Sequence, residues 1–310
     1  MSALSAQLKE QALELSWSLW AELGVSGWRR RHTSHAIDPE PLILFTAFLG
    51  DTDPRLRDEA TDWCITYGRY VSAARLKNLL ALEPPEARAA FGGFAATVNA
   101  HSGLRWPEAS EPRRYRRTAR SETPDFRRPS LVVLRLRALF GVGARAEILR
   151  AFLAEASAEP TAADLAGDAG YTKRNIAEVL DALRLAGLLD VIPFRNQLRY
   201  RLAQPAELVA LAGNLPASFP NWRSIFRIIE RLMTTAQKAA GLRSNVRSVE
   251  VARTLHDLSD DLRLVGMKPP SAEEGKDAWK TFAPWALETA QTWASGESHL
   301  RSPRRGNAAV

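Results

Sequence analysis

Residues 143–203, GARAEILRAFLAEASAEPTAADLAGDAGYTKRNIAEVLDALRLAGLLDVIPFRNQLRYRLA, carry the pattern that decides the fold. Ile148, Leu149, Phe152 and Leu153 share one face of a first helix over about 144–156, and Glu159-Pro160 breaks it. Thr161 then caps a short second helix, with Asp164 placed to reach back as the acid of a capping box, and Leu165 and Ala166 face inward. Gly170 falls where a sharp turn needs positive φ. Thr172 caps a third helix whose Ile176, Val179, Leu180 and Leu183 fall at i, i+3, i+4 and i+7, the spacing of a buried stripe. Gly187 ends that helix. Leu189 and Val191, then Leu198, Tyr200 and Leu202 between Arg199 and Arg201, alternate as two short strands joined by a polar turn.

With the stripe buried, the first two turns of the third helix present Tyr171, Lys173, Arg174, Asn175 and Glu178. Arginine pairs bidentately with guanine and asparagine with adenine, so this set suits readout of a major groove. Cations at a helix N-terminus also oppose the macrodipole, which fits an external anion, although a solvated face has the same composition. Arg195, Asn196, Gln197 and Arg199 sit in and beside the hairpin turn, placed to meet a sugar-phosphate backbone or minor groove, or to belong to a plain structural hairpin.

The order of helix, short Thr-Ala-x-acid-Leu-Ala helix, third helix ending Leu-x-x-Ala-Gly-Leu, and hairpin resembles the winged-helix domains of ArsR- and MarR-type bacterial repressors. The resemblance covers this domain alone. It implies a cytoplasmic transcriptional regulator, a repressor, that binds double-stranded DNA as a homodimer across two half-sites. It implies that Thr161 and Thr172 touch phosphates through the N-termini of their helices, and that residues 171–178 face the groove. The family's metal-sensing cysteines are absent, so metal sensing is not implied.

Outward from this centre, the first hundred residues read as helices. One is expected from about 4 to 23, with Leu8, Ala12, Leu15, Leu19 and Leu23 at helical spacing. Asp38-Pro39 and Asp53-Pro54 each place a capping carboxylate before a proline at the first helical position. Further helices follow Ser72 and span about 86–100, and Trp17, Trp20, Phe45, Phe48, Trp63 and Tyr67 are the expected core aromatics. Four prolines between 103 and 129, and seven arginines between 113 and 128, among them Arg113, Arg114, Arg116 and Arg117, leave little to bury; a basic linker is expected, either solvated or tracking phosphates. Helices return near 205–212, 220–240, 244–264 and 277–294.

The expected fold is therefore mainly α. It comprises a helical N-terminal domain (1–102), an Arg/Pro-rich linker (103–129), a central winged helix-turn-helix (130–204), a helical C-terminal region for dimerisation or an effector (205–296), and a disordered tail (297–310). A length of 310 residues suits two or three packed units, and the net charge of +7 biases partners toward polyanions. The single cysteine, Cys64, lies in an apolar helical stretch, where it reads as a small buried hydrophobe. The N-terminus lacks a secretory pattern and no stretch is apolar enough to span a membrane, so a cytoplasmic protein without membrane partner is expected.

No catalytic residue, cofactor or metal is expected. Gly141-Val142-Gly143-Ala144-Arg145-Ala146 imitates a dinucleotide fingerprint behind a β-capable run, LVVLRL, with Asp164 near the ribose-binding offset, yet residues 157–163 supply no strand into that acid. His32, His35, His101, His256 and His299 form no ligand spacing. A second basic cluster, WRRRH at 28–32, either grips a phosphate or solvates a turn. The main rival to a regulator is an interaction module, the antitoxin or defence-associated regulatory subunit of a pair, whose winged helix packs on a protein partner. RNA binding would call for more exposed aromatics than Tyr171 and Phe194.

Overall fold

The computed structural model describes residues 3–270 and 277–297, so the predicted tail lies outside the described residues apart from Glu297. The fold is mainly helical, with one two-stranded antiparallel hairpin between helices. Along the chain run α1 (Ala3–Glu22), α2 (Pro39–Leu49), α3 (Pro54–Tyr67), α4 (Ala73–Leu80), α5 (Pro85–His101), α6 (Val132–Phe140), α7 (Ala144–Ala154), α8 (Ala162–Ala169) and α9 (Lys173–Leu185). Strands β1 (Leu189–Phe194) and β2 (Gln197–Leu202) follow, then α10 (Pro205–Ala212), α11 (Trp222–Lys238), α12 (Ser244–Asp257), α13 (Ser259–Leu264) and α14 (Trp279–Ser295). The expected helix over 244–264 breaks at Leu258, and among the described residues no helix is long and apolar enough to cross a membrane.

The chain forms two compact units, which cut it differently from the boundaries read off the sequence. Among the described residues, one contains 3–21, the loop 27–32 and those from 218 to 297; the other contains 22–26 and 33–217. Thus nearly all of α1 belongs with the C-terminal helices instead of with α2 to α5, and the winged helix shares a unit with α2 to α5.

In the first unit the WRRRH loop is held by buried polar chemistry. His32 is fully buried: its Nε2 donates to the Trp293 carbonyl at 2.9 Å, and its Nδ1 lies 2.8 Å from Ser18 Oγ. The Arg31 amide donates to the same Ser18 oxygen at 2.9 Å, the Arg31 guanidinium to Glu14 at 2.6 Å, and Arg30 Nε to the Ala21 carbonyl at 3.0 Å. Trp28 stacks on Trp17 with centroids 5.7 Å apart. Trp28, Arg30, Arg31 and His32 are therefore all turned to structural use, and Arg29 stays exposed. Asn221 caps α11, and the broad apolar face expected there, Ile225, Phe226, Ile228, Ile229 and Leu232, is buried.

The second unit is built from local capping signals and one long-range ionic cluster. Asp53 accepts from the amides of Arg55 at 3.0 Å and Leu56 at 3.1 Å, and Ser72 accepts from Arg75 N–H at 3.1 Å. Asp38 precedes α2 as expected but makes no capping bond, because its carboxylate is taken by Arg75, with Arg75 Nη2 donating to Oδ2 at 2.6 Å. Phe45 and Trp63 are buried as expected, whereas Phe48 and Tyr67 are half-buried, and Cys64 is buried with its thiol pKa pushed up by that burial. The β-capable run LVVLRL is α6, so no strand precedes Gly141 and the imitation of a dinucleotide site loses its first element.

The 103–129 segment forms no helix or strand up to Arg128, in keeping with its composition, but it is not a loose tether. Its backbone is tied to the helices it crosses. Ser110 N–H donates to Gly92 O at 3.1 Å, Arg113 N–H to Thr97 Oγ1 at 2.9 Å, and Glu122 N–H to Gly24 O at 2.8 Å. Buried Asp62 accepts from the amides of Thr118 at 2.7 Å and Ala119 at 2.8 Å. Arg128 pairs with buried Glu22. The segment is a strap.

Candidate nucleic-acid interface

The three helices α7, α8 and α9 with the β1–β2 hairpin have the layout of a winged helix-turn-helix. Thr161 opens α8 through a reciprocal capping box: its own N–H donates to Asp164 Oδ2 at 2.9 Å, and Asp164 N–H returns to Thr161 Oγ1 at 3.3 Å. Asp164 is engaged in this cap. Gly170 ends α8 at φ +69°, and a Cβ there would stand 3.3 Å from Arg75 Cγ and Nε. Thr172 caps α9 by accepting from Asn175 N–H at 3.3 Å.

Ile176, Leu180 and Leu183 are buried as their spacing requires, with Val179 half-buried. In α8 the inward positions are Leu165 and Ala169; Ala166, expected inside, is half-buried. Lys173, Arg174, Asn175 and Glu178 are all exposed on α9, and Arg174 Nε donates to Glu178 at 3.0 Å one turn on. Such a surface pair is weak, so it biases the guanidinium without withdrawing it from other acceptors.

The hairpin runs in register from Leu189↔Leu202 to Phe194↔Gln197, closed by Arg195-Asn196 with Arg195 at φ +54°. An isolated bridge joins Thr161 to Arg199, and Tyr200 N–H donates to Pro160 O at 3.0 Å. This pairing fixes the start of α8 beside β2. Two of the expected phosphate-contacting positions, 161 and 199, are therefore neighbours. At the tip Phe194 is 41% exposed and lies beneath the guanidinium of Arg199 at 4.0 Å and that of Arg195 at 5.5 Å. Asn196 and Gln197 are exposed, and so is Leu198, which the alternation had placed inside but which lies too near the tip to reach the core.

Tyr171 departs from expectation. It is half-buried, its hydroxyl 2.7 Å from Ser72 Oγ, and burial is the chief cause of its raised pKa. It is a joint to α4 and does not share the exposed face of α9. Two further bonds complete that joint: Arg75 Nε donates to the Ala169 carbonyl at 2.8 Å and Asn78 Nδ2 to the Gly170 carbonyl at 3.0 Å. Thus α4 and its cap Ser72 grip the last residue of α8, Ala169, and both residues between it and the α9 cap, Gly170 and Tyr171. Nothing in the local pattern of Ser72, Arg75 or Asn78 announces this.

Beneath the joint lies a buried ionic cluster. Arg137, fully buried, donates to Glu40 at 2.7 and 2.8 Å, to Glu147 at 2.6 Å and to the Tyr70 carbonyl at 2.8 Å, while Arg75 donates to Glu40 at 2.7 Å. Arg150 closes on the other oxygen of Glu147 at 2.9 Å. Burial opposes charge on these groups, but proximity wins: Asp38, Glu147 and Glu40 raise Arg75, Glu40 and Glu147 raise Arg137, and Arg137, Arg75 and Arg150 hold Glu147 well below the carboxylate range. Asp38, Glu40 and Glu147 are thus neutralised inside the unit.

On the strap, Arg114, Arg116 and Arg117 are exposed. Arg113 is half-buried, its Nε 2.7 Å from where a Cβ on Gly93 would stand and its Nη1 3.8 Å from Asp51. It serves packing more than an outer surface. Among the described residues no group of three His, Cys, Asp or Glu is arranged to hold a metal ion. No protein-family model, no curated protein and no solved structure matches the chain.

Proposed function

We propose that the chain is a sequence-specific double-stranded-DNA-binding transcriptional regulator, a repressor, in which α9 enters the major groove and the β1–β2 wing follows the adjacent backbone. The observation that carries the proposal is the exposed run Lys173, Arg174 and Asn175 on the first turn of α9, held on a capped helix whose opposite stripe is buried. Guanidinium and amide groups there match base edges, and Lys173 matches phosphate. Arg195, Asn196, Gln197 and Arg199 act from the wing, Thr161 and Thr172 through helix N-termini, and Arg114, Arg116 and Arg117 add sequence-independent attraction from the strap. The resemblance to ArsR- and MarR-type repressors further supports two copies on two half-sites about one helical turn apart.

The test is a mobility-shift titration on duplexes recovered by genomic footprinting. Lys173→Ala with Arg174→Ala weakens binding more than tenfold, on the order of one lost base contact plus one lost phosphate contact. Replacing Arg114, Arg116 and Arg117 lowers the salt dependence. Unchanged affinity in both variants, together with a stoichiometric protein partner at purification, replaces the regulator by the interaction-module alternative.

A further inference from the structure

We infer that α4, outside the winged helix itself, belongs to the same nucleic-acid surface, and that Lys77 takes a backbone phosphate of the strand flanking the groove entered by α9. This rests on the proposed DNA-binding role of α9. The three bonds from Ser72, Arg75 and Asn78 hold α4 against residues 169–171, which immediately precede the Thr172 cap. Lys173 and Arg174 follow Tyr171 by two and three positions, so the start of α9 lies close to α4 and a polyanion bound there would pass near it.

What α4 leaves exposed suits that neighbour. Its buried side is Arg75, Leu76, Leu79 and Leu80, while Ala73, Ala74 and Lys77 face outward. The alanines allow a bulky duplex to come close, and Lys77, next to Asn78 in sequence, is the cation. Glu40 and Asp38, the acids bound to this helix, are sunk into the cluster with Arg75 and Arg137, so they do not cancel that charge at the surface. A fixed helix carrying one outward ammonium supplies a point contact to phosphate, without base preference.

The experiment titrates full-length protein with a labelled mixed-sequence duplex of about 30 base pairs from roughly 50 to 200 mM salt, comparing wild type, Lys77→Ala, Lys77→Glu and the Lys173→Ala/Arg174→Ala double variant. Loss of one phosphate contact lowers affinity about five- to tenfold at the low-salt end and reduces the slope of log K against log salt by about one in Lys77→Ala, with a larger loss in Lys77→Glu. Wild-type affinity and slope in both Lys77 variants, alongside a weakened double variant, overturn the role of α4 and leave the regulator standing. No salt-dependent binding by wild type overturns both. Lys77 is exposed, so equal urea midpoints verify that the variants fold.

Discussion

Tyr171 and Ser72 meet hydroxyl to hydroxyl at 2.7 Å, tying the residue just ahead of the α9 cap to the cap of α4. The bond belongs to folding and to the setting of α9. Tyr171→Phe is expected to lower unfolding free energy by about 0.5–1.5 kcal/mol, the net value of one hydrogen bond, and to leave duplex affinity within about twofold. Urea unfolding and a binding titration on the same preparation check it. A large loss of affinity without loss of stability would return Tyr171 to the groove.

Glu178 faces the same solvent as Lys173 and Arg174 and holds Arg174 at 3.0 Å. Glu178→Ala removes a negative charge from a surface proposed to meet phosphates. Mixed-sequence duplex binding is expected to strengthen several-fold while stability falls by less than about 0.5 kcal/mol. Weaker binding would mean that Glu178 itself accepts a hydrogen bond from a base.

The buried cluster sets the response to acid. Because Glu147 has its folded pKa depressed by Arg137, Arg75 and Arg150 against the pull of burial, its contribution is complete above the unfolded value of about 4.3 and is lost as pH falls toward the folded value. The urea midpoint is expected to hold near neutrality and drop below about pH 4. Glu147→Gln costs about 3–5 kcal/mol at neutral pH, because it strips a partner from buried Arg137, and it shows a shallower acid decline.

Asp62 is the main pin of the strap. Its Oδ2 accepts two backbone amides and the Thr118 hydroxyl, the last at 2.5 Å. Asp62→Ala is expected to cost about 1–3 kcal/mol and to speed tryptic cleavage after Arg116, Arg117 and Arg120 by roughly an order of magnitude, seen by mass spectrometry of early fragments. Unchanged cleavage would show that the pin is dispensable.

Local chemistry made much of this fold readable in advance. The caps at Asp53, Ser72, Thr161 and Thr172 and the αL turn at Gly170 each depend on residues within one helical turn, and each forms as its spacing requires. What escaped the sequence is long-range. Asp38 looks like Asp53 from its neighbours, yet Arg75, 37 residues away, claims its carboxylate. The sequence pattern groups Tyr171 with the outward side of the third helix, yet it precedes the α9 cap and the packing of α4 leaves it half-buried. The strap reads as linker because Pro and Arg dominate it, whereas its order comes from Asp62, Thr97 and Gly24, none of them in the segment. The α6 run, rich in Val and Leu, suits either strand or helix, and the structure takes helix.

The pinning of the strap bears on how quickly its charge can be used. A limp cationic arm surrenders conformational entropy each time it settles on a polyanion, which erodes the gain from every ion released. Here the backbone's freedom has already been given up during folding at Arg113 and Thr118, so the exposed Arg114, Arg116 and Arg117 project from a pinned main chain. In the proposed role, a polyanion would meet these charges along a main chain that needs no further ordering, so less of the attraction is spent on fixing the arm.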